Sequence, residues 1–124
     1  DSSKLKDLNE ISHPIIAEMV LKEFKSLVSK NSKRFVFLEA ALLIEANWYN
    51  MCHHIWVVTL EEVEARRRLK KRDGLSESEA RSRLESQLTS KERLAYADVV
   101  LHNDGSRKDL LNQTQRALEE LQIN

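Results

Sequence analysis

Phe35-Val36-Phe37-Leu38-Glu39-Ala40-Ala41-Leu42-Leu43-Ile44-Glu45 decides how this chain is read. Four apolar residues run without a polar break and then meet a carboxylate. An antiparallel strand with one wet face would alternate; this run does not. It predicts a buried strand over 34–39, of the kind found in parallel sheets covered on both faces. After it, Leu42 to Met51 predicts a helical or irregular connector. Ile55-Trp56-Val57-Val58-Thr59 repeats the pattern as a second buried strand, and Asp98-Val99-Val100-Leu101 as a third.

Helical signals surround these runs. Leu5, Leu8 and Ile11 follow helical spacing up to His13-Pro14. Pro14 suits the first turn of a new helix, where its missing N–H has no partner anyway. Ile15, Ile16, Met19, Val20, Phe24, Leu27 and Val28 give that helix a broad apolar stripe ending near Ser29. Leu60 to Asp73 predicts another helix, with Gly74 as its left-handed C-cap. Ser76 and Glu79 have capping-box spacing, and Ala80, Leu84 and Leu88 share a face behind them. A short helix follows from Ser90 to Tyr96. His102-Asn103-Asp104-Gly105 reads as a turn, and Ser106 caps a last amphipathic helix with Leu110, Leu111, Leu118 and Leu121. Strands alternating with helices argue for an α/β fold with a parallel sheet.

The chain has 124 residues, 41% hydrophobic and 32% charged, enough for one domain with a modest core. No repeat, low-complexity tract or Pro/Gly-rich linker marks a boundary. Twenty basic and twenty acidic side chains cancel. Neutrality removes any global argument for nucleic acid as a partner, so an anion site must come from local clustering. No apolar run approaches the length of a membrane span. One cysteine, Cys52, cannot form an internal disulfide, which points to a reducing compartment and an expected intracellular, cytoplasmic location. The chain opens at Asp1 and its first methionine is Met19, so it is expected to continue a larger reading frame or to follow processing.

Two groups of residues suggest chemistry. A carboxylate just past the C-terminal end of a parallel strand points into the crevice where α/β folds bind ligands, and Glu39 has that position. It could steer a magnesium-bound water or orient a substrate hydroxyl. By position alone Glu39 is equally a helix-start or surface glutamate. The second group is Arg66-Arg67-Arg68-Leu69-Lys70-Lys71-Arg72-Asp73-Gly74, continuing to Arg83 and Gln87. Arg68 and Arg72 share a helix face at i, i+4. On a loosely packed helix such guanidiniums can swing onto phosphate oxygens, where bidentate geometry suits them. The plainer alternative is a solvated helix with internal Glu–Arg pairs. A strand-end carboxylate together with mobile arginines suits phosphoryl transfer from ATP.

Other features carry less. Cys52-His53-His54 does not converge on one ion, and no second pair has zinc spacing, so no metal site is expected. Trp48, Tyr49 and Trp56 read as core. A phosphate-cradling G-x-x-x-x-G-K-S/T loop needs two close glycines, but the only glycines are Gly74 and Gly105.

With these residues in view, the chain resembles the dephospho-CoA kinase family, and in places the kinase domain of the bifunctional CoA synthase of animals. Leu8 to Ile16 is similar to that family's L-x-x-I-x-H-P-x-I segment, and Phe37 to Glu45 to its D-x-P-L-L-F-E segment. Arg68, Arg72-Asp73-Gly74, Arg83 and Gln87 match its lid. Ala97 to Gly105 matches A-D-x-V-I-x-N-x-G beside the adenine. Glu39 departs from the family's usual Asp. Ala41 departs from its usual Pro, as it does in the animal form.

The resemblance implies phosphoryl transfer from ATP, with Mg2+, to the ribose 3′-hydroxyl of dephospho-CoA, the last step of coenzyme A synthesis. It implies an α/β fold: a P-loop-kinase-like parallel sheet with flanking helices and a helical lid, here lacking the N-terminal phosphate-loop strand. Residues 1–124 are then a single partial kinase domain. Acceptor-side helices occupy 1–33, core strands and connector 34–59, the lid region 60–96, and the last strand, adenine-side turn and final helix 97–124. Implied catalytic residues are Arg68, Arg72, Arg83 and Glu39. Asn103, Asp104 and Gly105 face the nucleotide; His13, Glu45 and Gln87 serve the acceptor. The phosphate loop and catalytic aspartate belong to the missing N-terminal portion of the domain, so the chain alone is expected to be inactive. In the family fold the phosphate-loop strand runs between 34–39 and 54–59, so no ladder is expected between those two runs. The alternatives are a non-catalytic nucleotide-binding or interaction module, and another nucleoside-monophosphate-type kinase.

Overall fold

Helix formation dominates the first thirty residues, and no proline signal interrupts it. In this computed structural model, which describes residues 2–31 and 35–123, α1 runs unbroken over Ser2–Lys30 with Pro14 inside it. The expected helix start at Pro14 is corrected by this. A proline removes one intrahelical bond and crowds a carbonyl, at roughly 3 kcal/mol. Good helix formers flank it here: Leu8 and Glu10 before, Ala17, Glu18 and Met19 after, with no glycine in the helix.

The chain divides into two compact units, Asp1–Cys52 and His53–Asn124. In the first, α1 half-buries Asn9, His13, Ala17, Val20, Phe24 and Leu27, a single face at helical spacing. Leu5, Leu8, Ile11, Ile15 and Met19 lie round the helix from that face and are exposed, as are Ile16 and Val28. The predicted stripe is thus split between two faces, and only one of them is covered. The His13 ring meets the Trp48 ring edge-on, with centroids 5.5 Å apart.

Residues 35–40 belong to no strand among the described residues, which corrects the buried strand predicted over 34–39. Arg34 lies outside the described residues. Val36, Leu38 and Ala40 are half-buried while Phe35, Phe37 and Glu39 are exposed, Phe37 by 65%. A run becomes a strand only when a neighbouring strand takes its backbone groups in a regular ladder, and no such ladder includes 35–40 among the described residues. A turn over 41–47 and a 3-10 turn at Trp48–Met51 follow, and Ile44 within the first is buried.

The second unit holds a two-stranded parallel sheet. β1 is Trp56–Thr59 and β2 is Val99–His102, paired from Trp56 with Val99 to Thr59 with His102. The crossover between them carries α2 (Glu62–Asp73), α3 (Glu77–Glu85) and α4 (Ser90–Leu94); α5 (Arg107–Ile123) follows β2. Ile55, Val57, Ala80, Leu101 and Ala117 form the buried core of this unit. Val57 pairs with Val100, and Leu101 with Val58, so the two buried strand residues point to opposite faces. α4 packs on β1 and α5 on β2. The cross-strand partners Val58 and Val100 remain exposed, at 52% and 37%. Each face is therefore half covered. The helix expected to carry Leu88 ends at Glu85, and Leu111 on α5 is exposed. No helix among the described residues is long and apolar enough to cross a membrane.

Candidate functional site

Ligands of parallel α/β sheets sit beyond the carboxyl ends of the strands. Here those ends are tied together by short polar links. Asn103 N donates to Thr59 O at 2.8 Å, one step past the ladder. The Asp104 carboxylate accepts from Glu61 N at 2.8 Å, fastening the turn after β2 to the loop that enters α2. Gly105 lets the Asp109 carboxylate lie close to the turn: a Cβ there would stand 2.8 Å from Asp109 Oδ2 and push it aside. That carboxylate accepts from Ser106 N at 2.8 Å, and the Ser106 hydroxyl accepts from Asp109 N at 3.1 Å, capping α5. The Ser106 hydroxyl and then the Ser106 N–H, both donating to this carboxylate, hold Asp109 below the usual carboxylate range. Along the outer edge of β2, the Gln113 amide bridges His102, accepting from its N at 2.8 Å and donating to its O at 2.9 Å. A side-chain amide there satisfies an edge that would otherwise invite another strand.

α2 and α3 form a charged hairpin beside these ends. Gly74, at φ 67°, ends α2 with its N–H bonded to Lys70 O. Two residues later the capping box starts α3: Ser76 N donates to Glu79 Oε2 at 2.7 Å and Glu79 N to Ser76 Oγ at 3.3 Å. Acids on both helices collect the basic side chains. Glu64 accepts from Arg67 and Arg68 at 2.7 Å, which pulls its pKa down to about 2. Glu77 meets Lys70 at 2.8 Å and Arg66 at 3.4 Å. Asp73 receives Arg72 in a two-pronged pair, Nε to Oδ1 at 2.7 Å and Nη2 to Oδ2 at 3.0 Å. Arg83 Nη1 reaches the same Oδ2 from α3 at 2.6 Å. Arg72 first and then Arg83 hold Asp73 below the normal carboxylate range. Exposed ion pairs of this kind are weakly held, so these guanidiniums are easily exchanged onto another anion. Beside Arg83 an open groove of about 620 Å3 is lined by Leu75, Ser78, Glu79, Ser82 and Ser86.

The structure brings Arg72 and Arg83 together; Arg68 is held apart from them, on Glu64. Gln87 lies past the end of α3, exposed, in a bend rather than on the helix. In the first unit Glu39 and Glu45 are both exposed, whereas His13 is half-buried in mid-helix. Because α1 runs on through Pro14, His13 sits in mid-helix, with its ring against that of Trp48. The sequence placed Asp73 and Asp98 inside matched motifs without assigning either a contact, and it singled out neither Glu64 nor Gln113. The i, i+4 spacing of Glu64 to Arg68 was a readable signal. Asp98 closes the other end of the sheet, its carboxylate accepting from Ile55 N at 2.7 Å. No local pattern announces that bond, because 43 residues separate its partners.

Comparison with known proteins follows the same lines. A family profile described as dephospho-CoA kinase matches residues 1–109. The dephospho-CoA kinase of Shouchella clausii is 36% identical over 118 residues, covering 95% of this chain and 59% of that protein. That of Syntrophotalea carbinolica is 39% identical over 107 residues, covering 86% of this chain and 50% of its own. Among solved structures, TT1252 from Thermus thermophilus superposes with a TM-score of 0.74 at 33% identity, over 98% of this chain and 61% of that one. Dephospho-CoA kinase from Campylobacter jejuni does so with a TM-score of 0.68 at 26% identity, over 98% and 59%. The chain thus spans between half and about three fifths of the proteins it matches.

Proposed function

The chain belongs to the dephospho-CoA kinase family, and on that footing we propose that it takes part in ATP-dependent phosphorylation of the ribose 3′-hydroxyl of dephospho-CoA. In-line phosphoryl transfer asks a protein for positioning and for charge around the moving group. Arg72 and Arg83 supply the charge. They lie on different helices, converge on one carboxylate and are 73% and 52% exposed, so a triphosphate can reach them. Their convergence is the observation that carries the proposal. Arg68 joins them by leaving Glu64. The turn Asn103–Asp104–Gly105 borders the adenine, with Asp104 holding the turn rather than reading the base. Glu39 orients the acceptor end of the reaction, and His13, Glu45 and Gln87 belong to the dephospho-CoA side.

Mg2+ enters with ATP as part of the substrate. Among the described residues no three metal-ligating side chains converge, and a triphosphate-borne Mg2+ asks for only one or two carboxylates, which Glu39 can begin to provide. The chain has no phosphate-cradling loop of its own, so that part is assigned to the two fifths of the family's length that it does not span.

In the complete protein that carries this sequence, Arg72→Ala is expected to lower kcat on the order of 100-fold while changing the KM for ATP far less, since this charge acts most strongly in the transition state. Steady-state ADP release with dephospho-CoA measures it. An unchanged kcat would return Arg72 to a solvated helix face. Equal turnover of AMP or CMP as acceptor would favour a nucleoside-monophosphate kinase instead.

A further inference from the structure

We propose that Asp73 is a positioning residue: it preassembles Arg72 and Arg83 into one cradle for a polyphosphate oxyanion. The inference rests on the reading of Arg72 and Arg83 given above and adds the residue that aligns them. Its basis is an unusual arrangement. Side chains at i and i+1 on a helix do not face each other. Arg72 nevertheless folds back across the end of α2 to grip Asp73 side-on, with two bonds. From α3, Arg83 takes the same Oδ2 atom. The shared oxygen keeps a nitrogen of each guanidinium within two hydrogen-bond lengths of the other. Two cations that close repel unless an anion lies between them. Asp73 is that anion while no phosphate is bound.

What the pair leaves open matters as much. Arg72 Nη1 and the Nε and Nη2 of Arg83 have no hydrogen-bond partner among the described residues. They are the donors left to receive phosphate oxygens without first breaking the Asp73 contacts. Asp73 is also poorly placed for stability. A carboxylate in the last turn faces the negative end of the helix dipole, and aspartate is a weak helix former. Its ion pairs are exposed, so they return little. The α2–α3 packing does not depend on it, since Glu77 separately links the helices through Lys70 and Arg66. A residue that costs the helix and stabilises little is explained by what it aligns.

The test is a double-mutant cycle in the complete protein. Asp73→Asn is expected to lower kcat about 10-fold with the KM for ATP within about 3-fold, as loss of alignment does. The melting temperature should stay essentially that of wild type. In an Arg72→Ala/Arg83→Ala background, adding Asp73→Asn should cost less than about 2-fold, because nothing remains to align. Asp73→Glu should restore part of the loss. Full multiplication of the two losses would overturn the proposal, and so would tighter ATP binding by Asp73→Asn, which would make the carboxylate a competitor of phosphate. The same cycle read by calorimetric binding of inorganic tripolyphosphate separates the two ideas. If wild type does not phosphorylate dephospho-CoA, the functional reading fails, yet non-additive tripolyphosphate affinities would still uphold Asp73 and additive ones would remove it.

Discussion

Phe35-Val36-Phe37-Leu38 and Ile55-Trp56-Val57-Val58 are nearly the same text, and they have different fates. Both are short apolar runs rich in β-branched and aromatic residues. The second becomes β1, laddered to β2 with Val57 buried. The first has no ladder among the described residues, and Phe37 is 65% exposed. Strand propensity describes a fit to a pleated surface; it does not supply the surface. β1 has β2 because the crossover from Glu62 to Leu94 returns the chain beside it. Residues 35–40 have no laddered neighbour among the described residues. The family's longer members contain further sequence, and a strand from that region would give them one.

The comparison can be broken most severely through activity. If the unpaired run marks a sheet that the rest of the domain completes, the 124-residue chain alone lacks both positioning and phosphate contacts. No measurable ADP release with dephospho-CoA is then expected, against ordinary turnover by an intact family enzyme. Turnover within a few-fold of such an enzyme would contradict this.

Stability offers a smaller contrast between the same regions. Leu101→Ala removes a buried side chain beside β1 and is expected to cost about 2–5 kcal/mol in the 124-residue chain. Phe37→Ala removes a larger side chain that has little cover, and is expected to stay within about 0.5 kcal/mol. Chemical unfolding of both variants measures the difference. Comparable losses would show that 35–40 is packed as firmly as β2.

Much of this was legible in the sequence, and what failed has a common cause. Gly74, Ser76 with Glu79, and Ser106 sit at helix ends as read, because capping bonds are local and close over three or four residues. β1 and β2 appear within one residue of their expected positions. Pro14 misled because the penalty at one position was outweighed by the propensity of its neighbours. The strand at 34–39 misled because a ladder is made by two segments and only one was in view. The arginines were visible as a run, but their grouping was not. Arg72 and Arg83 meet through Asp73 across ten residues, while Arg68, nearer in sequence to Arg72, goes to Glu64.

The least severe contrast is in pH. Glu64 and Asp73 have depressed pKa values, Glu64 about 2, through their bonds to arginine. A carboxylate whose folded pKa lies below its unfolded value adds stability that is present above the unfolded value, near pH ~4, and is lost as pH falls through the folded one. The arginines on Glu64 and Asp73 should therefore be released as pH falls below about 4, less steeply in high salt, with the α2–α3 packing little changed. Side-chain and amide NMR shifts of residues 62–85 would follow the release. Guanidinium and carboxylate shifts of these residues that stay unaltered down to pH 2 would show that the pairs do not form in solution.

Amide hydrogen exchange tests the central contrast most directly, on the 124-residue chain and on the complete protein that carries it. In the chain, amides of 56–59 and 99–102 should be protected and those of 35–40 should exchange at nearly unprotected rates; in the complete protein, 35–40 should gain protection comparable to β1. Strong protection of 35–40 in the chain alone, or none in either form, would contradict the reading of that run as a strand that lacks only its neighbour.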